Sequence, residues 1–98
     1  MAYEAGAFEA TLAAAAGGDP LLLSELRVAY AASVARQIDL LDRARCDGNW
    51  IVSAQRLKGL AASFDAGELL VLAEAALECA PGDPAIVRRL YLYHACLF

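Results

Sequence analysis

Apolar residues recur at spacings of three and four along most of this chain, and no stretch alternates between apolar and polar in the manner of a strand. The clearest case is a segment from about Pro20 to Cys46, whose apolar positions form one stripe along a predicted helix. The members of that stripe are Leu23, Leu26, Tyr30, Val34, Ile38 and Leu41. The pattern therefore predicts a long amphipathic helix with one buried side.

Helix breakers and capping residues divide the chain into five predicted helices. Asp19 before Pro20 and Asp83 before Pro84 each predict a capped helix start, since proline at the first helical position loses no hydrogen bond. Residues 3–16 predict a short, alanine-rich first helix. The last helix is expected to run from Pro84 to about Leu97, burying Ile86, Leu90, Tyr93 and Leu97.

The turn sequence at residues 47–49 separates the second and third predicted helices, with Asn49 as the expected cap of the third. The third helix has a regular apolar side, and residues 65–67 end it. That side consists of Trp50, Ala54, Leu57, Ala61 and Phe64. A fourth helix follows, marked by Leu69, Leu72, Ala73, Ala76 and Leu77.

These short connections place consecutive helices antiparallel. The expected fold is all-α: an up-down antiparallel four-helix bundle over residues 20–97, with an additional short N-terminal helix lying across one end. At 98 residues the chain is expected to form one domain.

Charge and cysteine content narrow the classes of function. The net charge of −4 argues against nucleic-acid binding, which depends on neutralising phosphates with lysine and arginine. No apolar run approaches the roughly 20 residues that cross a bilayer, and no signal peptide is evident, so no membrane association is expected. Three widely spaced cysteines and a single histidine favour a reducing cytoplasm and predict neither a metal site nor a cofactor. We therefore expect a cytoplasmic protein.

The side of the third helix opposite its apolar residues carries an unusual run of small residues. With about 100° of rotation per residue, Gln55 lies about 140° from the centre of the apolar side and is expected in solvent. Gly59 and Ala62 share this exposed strip, Val52 precedes them, and Lys58 flanks them. A glycine within an exposed helix costs about 1 kcal/mol relative to alanine, so a partner that approaches the backbone closely is one explanation for Gly59.

The same helix carries a recognisable motif. The segment from Ser53 to Ala62 reads Ser-Ala-Gln-Arg-Leu-Lys-Gly-Leu-Ala-Ala. It resembles the histidine phosphotransfer (HPt) domains of bacterial phosphorelays, whose pattern is Ala-His-x-Leu-Lys-Gly followed by small residues. Three further pieces extend the resemblance over roughly residues 19–80. They are Asp-Pro-Leu-Leu-Leu from Asp19, Asp-Gly-Asn-Trp from Asp47 and Ala-Gly-Glu-Leu-Leu from Ala66.

Two departures from the family pattern stand out. Gln55 occupies the position of the phosphoacceptor histidine, and its amide nitrogen has no lone pair available for attack. Asp65 stands where family members often have glycine after the motif helix, and Ala66 and Gly67 are expected to make that turn instead.

The resemblance implies a protein of two-component signalling that docks a response regulator receiver domain, or a hybrid kinase, without itself carrying phosphate. Gln55 would fill the space of the histidine, and the cations Lys58 and Arg56 would complement an acidic receiver pocket. The implied partner-binding residues are Val52, Gln55, Arg56, Lys58, Gly59 and Ala62. No residue is expected to be catalytic.

Other interpretations remain open on the sequence. The chain would be an active phosphotransferase if His94 were the acceptor, or if glutamine had replaced a natural histidine at position 55; His94 is otherwise expected to be a partly buried packing residue. A purely structural helical protein is the third interpretation. Excess apolar residues at the C-terminus, among them Tyr91 and Phe98, are compatible with a monomer, in which contact with the first helix covers them, or with a weak homodimer.

Overall fold

A computed structural model describes residues 5–98, and these residues are all-α, as predicted. The helices are α1 (Ala5–Ala16), α2 (Pro20–Arg43), α3 (Asp47–Ser63), α4 (Gly67–Leu77) and α5 (Pro84–Ala95). Residues 3 and 4, which were expected in the first helix, lie outside the described residues.

The two Asp-Pro helix starts are confirmed. Asp19 Oδ1 accepts hydrogen bonds from the backbone N–H groups of Leu21 at 3.0 Å and Leu22 at 3.3 Å. Asp83 Oδ1 does the same for Ala85 at 2.9 Å and Ile86 at 3.4 Å. Each aspartate satisfies backbone donors that have no partner within the helix.

The boundary between α2 and α3 differs from the prediction. Helix α2 ends at Arg43 rather than Cys46, and Cys46 is the residue that precedes α3. Asn49 lies within the helix and is not its cap, so the expected turn at residues 47–49 is instead the first turn of α3. Ala44 explains the shift, because this residue is extended and 5% exposed, and it anchors the connection to the core. A negative charge at Asp47 also favours a helix start there.

The C-terminal helix is shorter than expected. It ends at Ala95, and the N–H of Cys96 donates to the carbonyl groups of Leu92 at 3.1 Å and Tyr93 at 3.2 Å. Ile86 and Leu90 are buried as predicted, whereas Tyr93 and Leu97 are half-buried. The first two turns of α5 are therefore packed into the core more fully than the remainder of the helix.

One core connects the helices. Helix α3 packs against α2 and α4, α5 packs against the same two helices, and α1 lies against α2. Aromatic contacts link α1 and α3 to α2: the Tyr30 ring lies 4.9 Å from that of Phe8 and 5.1 Å from that of Phe64. Leu23 and Leu26, predicted within the α2 stripe, are only half-buried; the stripe is buried from Tyr30 onward, at Tyr30, Val34, Ile38 and Leu41.

The turn that follows α3 contains a residue in the left-handed conformation. Asp65 has φ +54°, and the N–H of the following Ala66 donates to the carbonyl of Ala61 at 2.9 Å, the bond that closes a Schellman-type helix end. Asp65 therefore makes this turn itself, and the expectation that Ala66 and Gly67 would do so is wrong. Thr11 of α1 donates a hydrogen bond of 2.6 Å to the Asp65 carboxylate. Aspartate tolerates the left-handed region better than most residues, and this side-chain contact adds to its anchoring.

Candidate functional site

The outer side of α3 is the surface that the sequence motif selected. Gln55, Gly59 and Ala62 are exposed, and Val52 is 46% exposed. We call these four residues the α3 strip. The opposite side of the helix is buried, with Trp50, Ala54, Leu57 and Ala61 each at most 1% exposed. The predicted division of α3 into a core side and a solvent side is confirmed, except that Phe64 is half-buried.

A buried hydrogen bond fixes α3 against its neighbour α4. The indole Nε1–H of Trp50 donates to the backbone carbonyl of Ala76 at 2.8 Å, and the indole is 1% exposed. This bond joins the start of α3 to the end of α4, while residues 64–66 join the end of α3 to the start of α4. The two helices are therefore antiparallel and the strip rests on a well-packed base.

The strip is open above its glycine. A Cβ placed on Gly59 would meet no atom within 4 Å, apart from its chain neighbours and the backbone of its own helix. Intramolecular packing therefore does not require glycine at this position. The Gln55 side chain is also exposed, so its amide can donate and accept hydrogen bonds at the surface.

The two cations beside the strip have different surroundings. Lys58 is half-buried, and its Nζ lies 3.7 Å from the Glu74 carboxylate of α4. Arg56 is exposed and has no ion pair within residues 5–98. The sequence identified both cations but gave no sign of the Glu74 contact, because that contact depends on the register of two helices.

His94 lies far along the chain from this surface, in the last turn of α5. It is half-buried, as expected of a packing histidine. Helix α5 packs against α2 and α4.

A cavity that the sequence did not predict lies between α1, α4 and α5. Its volume is about 450 Å³. Phe8 and Phe98 line it, with ring centroids 6.0 Å apart, and Arg27 lies over the Phe98 ring at 5.4 Å. The Phe98 ring contacts α1 but remains 58% exposed, so the first helix covers it only in part. Charged residues also line the cavity, namely Glu9, Glu68 and Arg89.

A pair of tyrosines lies beside this cavity. The Tyr30 and Tyr93 hydroxyl groups are 2.7 Å apart. Burial, and secondarily the hydrogen bond to Tyr93, raises the pKa of the Tyr30 phenol well above its ordinary value of 10.0. Burial likewise raises the pKa of Tyr93, although its hydrogen bond with Tyr30 acts in the opposite direction. The pair is a neutral structural contact between α2 and α5 over the physiological pH range.

Within residues 5–98 no helix has both the length and the apolar character needed to cross a bilayer. The same part of the chain brings together no group of three or more histidine, cysteine, aspartate or glutamate side chains that could hold a metal ion.

Comparison with known proteins returned no relative. No protein-family model, no curated protein and no solved structure matches the chain.

Proposed function

We propose that this protein is an HPt-like four-helix bundle that binds response regulator receiver domains and does not carry phosphate. The observation that carries the proposal is the α3 strip, in which exposed Gln55 takes the histidine position of the motif and is followed by open Gly59 and exposed Ala62. Small exposed residues beside one polar side chain allow a partner to approach the backbone of α3 closely around Gln55.

The helix contacts support the proposed architecture. Helices α2, α3, α4 and α5 make a closed ring of contacts, α2 to α3, α3 to α4, α4 to α5 and α5 to α2. Such a ring is the contact pattern of an up-down four-helix bundle, with α1 added against α2. In this interpretation the α3 strip occupies the outer surface of one bundle helix.

The end of α3 gives independent support for the resemblance. Family members often have glycine at the position of Asp65, and Asp65 has φ +54°, a conformation that glycine adopts without steric cost. The local geometry therefore explains why the family pattern would place glycine there, although this chain uses aspartate. This agreement concerns the backbone and is separate from the motif residues of the strip.

The chemistry of Gln55 determines the type of activity that we propose. Phosphoryl transfer through this position needs a nucleophilic nitrogen, and the amide nitrogen of glutamine is delocalised into its carbonyl. Gln55 can hydrogen-bond within a receiver cleft but cannot accept phosphate from it. The proposed role is therefore to compete for, sequester or scaffold a receiver domain.

The proposal is tested by titrating the protein with receiver domains encoded in the same genome. Val52→Arg and Gly59→Arg place a long side chain where the partner must approach closely, so they should abolish binding by steric exclusion while circular dichroism shows an intact fold. Val28→Arg is the matched control, since Val28 is 69% exposed on α2 and lies outside the strip. Failure of every receiver domain to bind, or equal binding by all variants, would refute the proposed docking surface.

Phosphoryl uptake is tested in the same experiment. Phosphorylated receiver domains should transfer phosphate to a Gln55→His variant and not to the natural protein. If the natural protein becomes phosphorylated and His94→Ala abolishes the labelling, the protein is a phosphotransferase with an acceptor on α5 and the phosphate-free role is wrong.

A further inference from the structure

We infer that the two cations beside Gln55 are not equivalent in docking: Arg56 is directly available to an acidic partner, whereas Glu74 competes with that partner for Lys58. This inference rests on the proposed function, because it concerns how the α3 strip meets the acidic pocket of a receiver domain. It assigns a specificity role to Glu74, a residue outside the sequence motif.

The positions of the two cations around α3 come from helix geometry. Arg56 and Lys58 are two residues apart, so they are separated by about 160° around the solvent side of the helix. Gln55 and the strip lie between them. The 3.7 Å contact of Lys58 with Glu74 shows that the Lys58 flank is the one beside α4. Arg56 therefore lies on the opposite flank of the strip.

The exposed surface of α4 makes its flank acidic. Val71, Glu74 and Glu78 are exposed and recur at three- and four-residue spacing along the outer side of α4, whereas Glu68 lines the cavity toward α5. A carboxylate-rich partner that approached from this flank would meet Glu74 and Glu78 beside Lys58. From the other flank it would meet Arg56, which has no ion pair among residues 5–98. Charge complementarity therefore favours an orientation with the acidic rim of the partner over Arg56.

The pairing of Lys58 is weak enough to be exchanged. The contact is 3.7 Å long, and its side chains are 42% and 54% exposed. Ion pairs of this kind contribute little to stability, since water and salt screen them. A partner carboxylate can replace Glu74, but it must displace an existing contact to do so. Glu74 thus sets how much Lys58 adds to affinity and favours partners that engage Arg56 first.

The test measures the dissociation constant of a binding receiver domain at low ionic strength for five variants beside the natural protein. These are Arg56→Gln, Lys58→Gln, Glu74→Gln, the Lys58→Gln/Glu74→Gln double variant and Glu78→Gln. For single exposed charges the changes are expected to be roughly two- to fivefold. Arg56→Gln should weaken binding by this factor, and Lys58→Gln should change it by less.

Glu74→Gln should tighten binding, and this gain should disappear in the double variant because it acts through Lys58. Glu78→Gln is the matched control, since it removes an equal charge from the same exposed side of α4 one turn away and frees no lysine. Its effect should be smaller than that of Glu74→Gln.

The outcomes separate this inference from the proposed function. If the natural protein binds but Lys58→Gln loses as much affinity as Arg56→Gln, the inference is wrong and the docking function stands. The same conclusion follows if Glu74→Gln binds no more tightly than Glu78→Gln, or if the double variant keeps the gain. If no receiver domain binds the natural protein or any variant, both the function and the inference are overturned.

Discussion

Replacing Gly59 with alanine should make this protein more stable. Gly59 lies in the interior of α3, is exposed, and has open space where a Cβ would project. Alanine at an exposed interior helix position is favoured over glycine by about 0.8–1.0 kcal/mol, because glycine loses more backbone entropy on folding. No packing term opposes this gain, since the added methyl group meets no neighbouring element.

The size of the effect in a thermal experiment follows from the length of the chain. For 98 residues the entropy of unfolding is about 0.2 kcal/mol/K, taken at about 2.1 cal/mol/K per residue. A gain of about 1 kcal/mol in the free energy of unfolding then raises Tm by about 5 °C. Thermal and urea unfolding should both be followed by far-ultraviolet circular dichroism and by the fluorescence of Trp50, the only tryptophan.

A matched substitution calibrates the measurement. Ala32 is exposed within α2, away from both of its ends, so Ala32→Gly should lower the free energy of unfolding by a similar amount. If Ala32→Gly has its expected effect and Gly59→Ala is neutral or destabilising, the backbone around Gly59 is not an unstrained, open helix. That result would refute the reasoning for this position.

Two further predictions concern the core. Burial raises the pKa of Tyr30 in the folded protein, so the unfolded state loses this proton first as the pH rises. Above pH 10 the free energy of unfolding should therefore fall by up to about 1.4 kcal/mol per pH unit. Urea unfolding between pH 9 and about 11 should show a smaller slope for Tyr30→Phe, and an unchanged slope would contradict the assignment. Trp50→Phe should cost about 2–3 kcal/mol, through the lost hydrogen bond to Ala76 and the lost ring volume, with circular dichroism as the measurement. A cost below about 0.5 kcal/mol would show that this bond does not hold α3 against α4.

Features that depend on a few neighbouring residues were predictable from the sequence. The caps at Asp19 and Asp83 are local hydrogen bonds with a strong residue preference, and both are present. The buried side of α3 follows from periodicity alone, and its prediction was right for Trp50, Ala54 and Leu57. Local rules also identified the exposed position of Gln55.

Features that depend on packing between helices were not predictable. Because Ala44 is buried, α3 begins at Asp47, earlier in the chain than predicted. Asn49 therefore lies inside the helix although it is a good capping residue. The contact between Lys58 and Glu74 needs the register of α3 against α4, which no spacing within one helix reveals. Similarly, the left-handed turn at Asp65 coincides with a hydrogen bond from Thr11, 54 residues away in the chain.

The open surroundings of Gly59 allow folding and binding to be separated in one protein. Neither Gly59 nor Val52, which is 46% exposed, occupies a position where packing demands that residue type. Selection for stability alone would favour alanine over Gly59, so any requirement for this glycine must come from contact with another molecule. Gly59→Ala should therefore raise Tm whether or not the protein binds a receiver domain, whereas Gly59→Arg should weaken binding only if the α3 strip is the docking surface. If Gly59→Arg leaves receiver binding intact, the glycine has no role in recognition and the α3 strip is an ordinary solvent-facing helix surface.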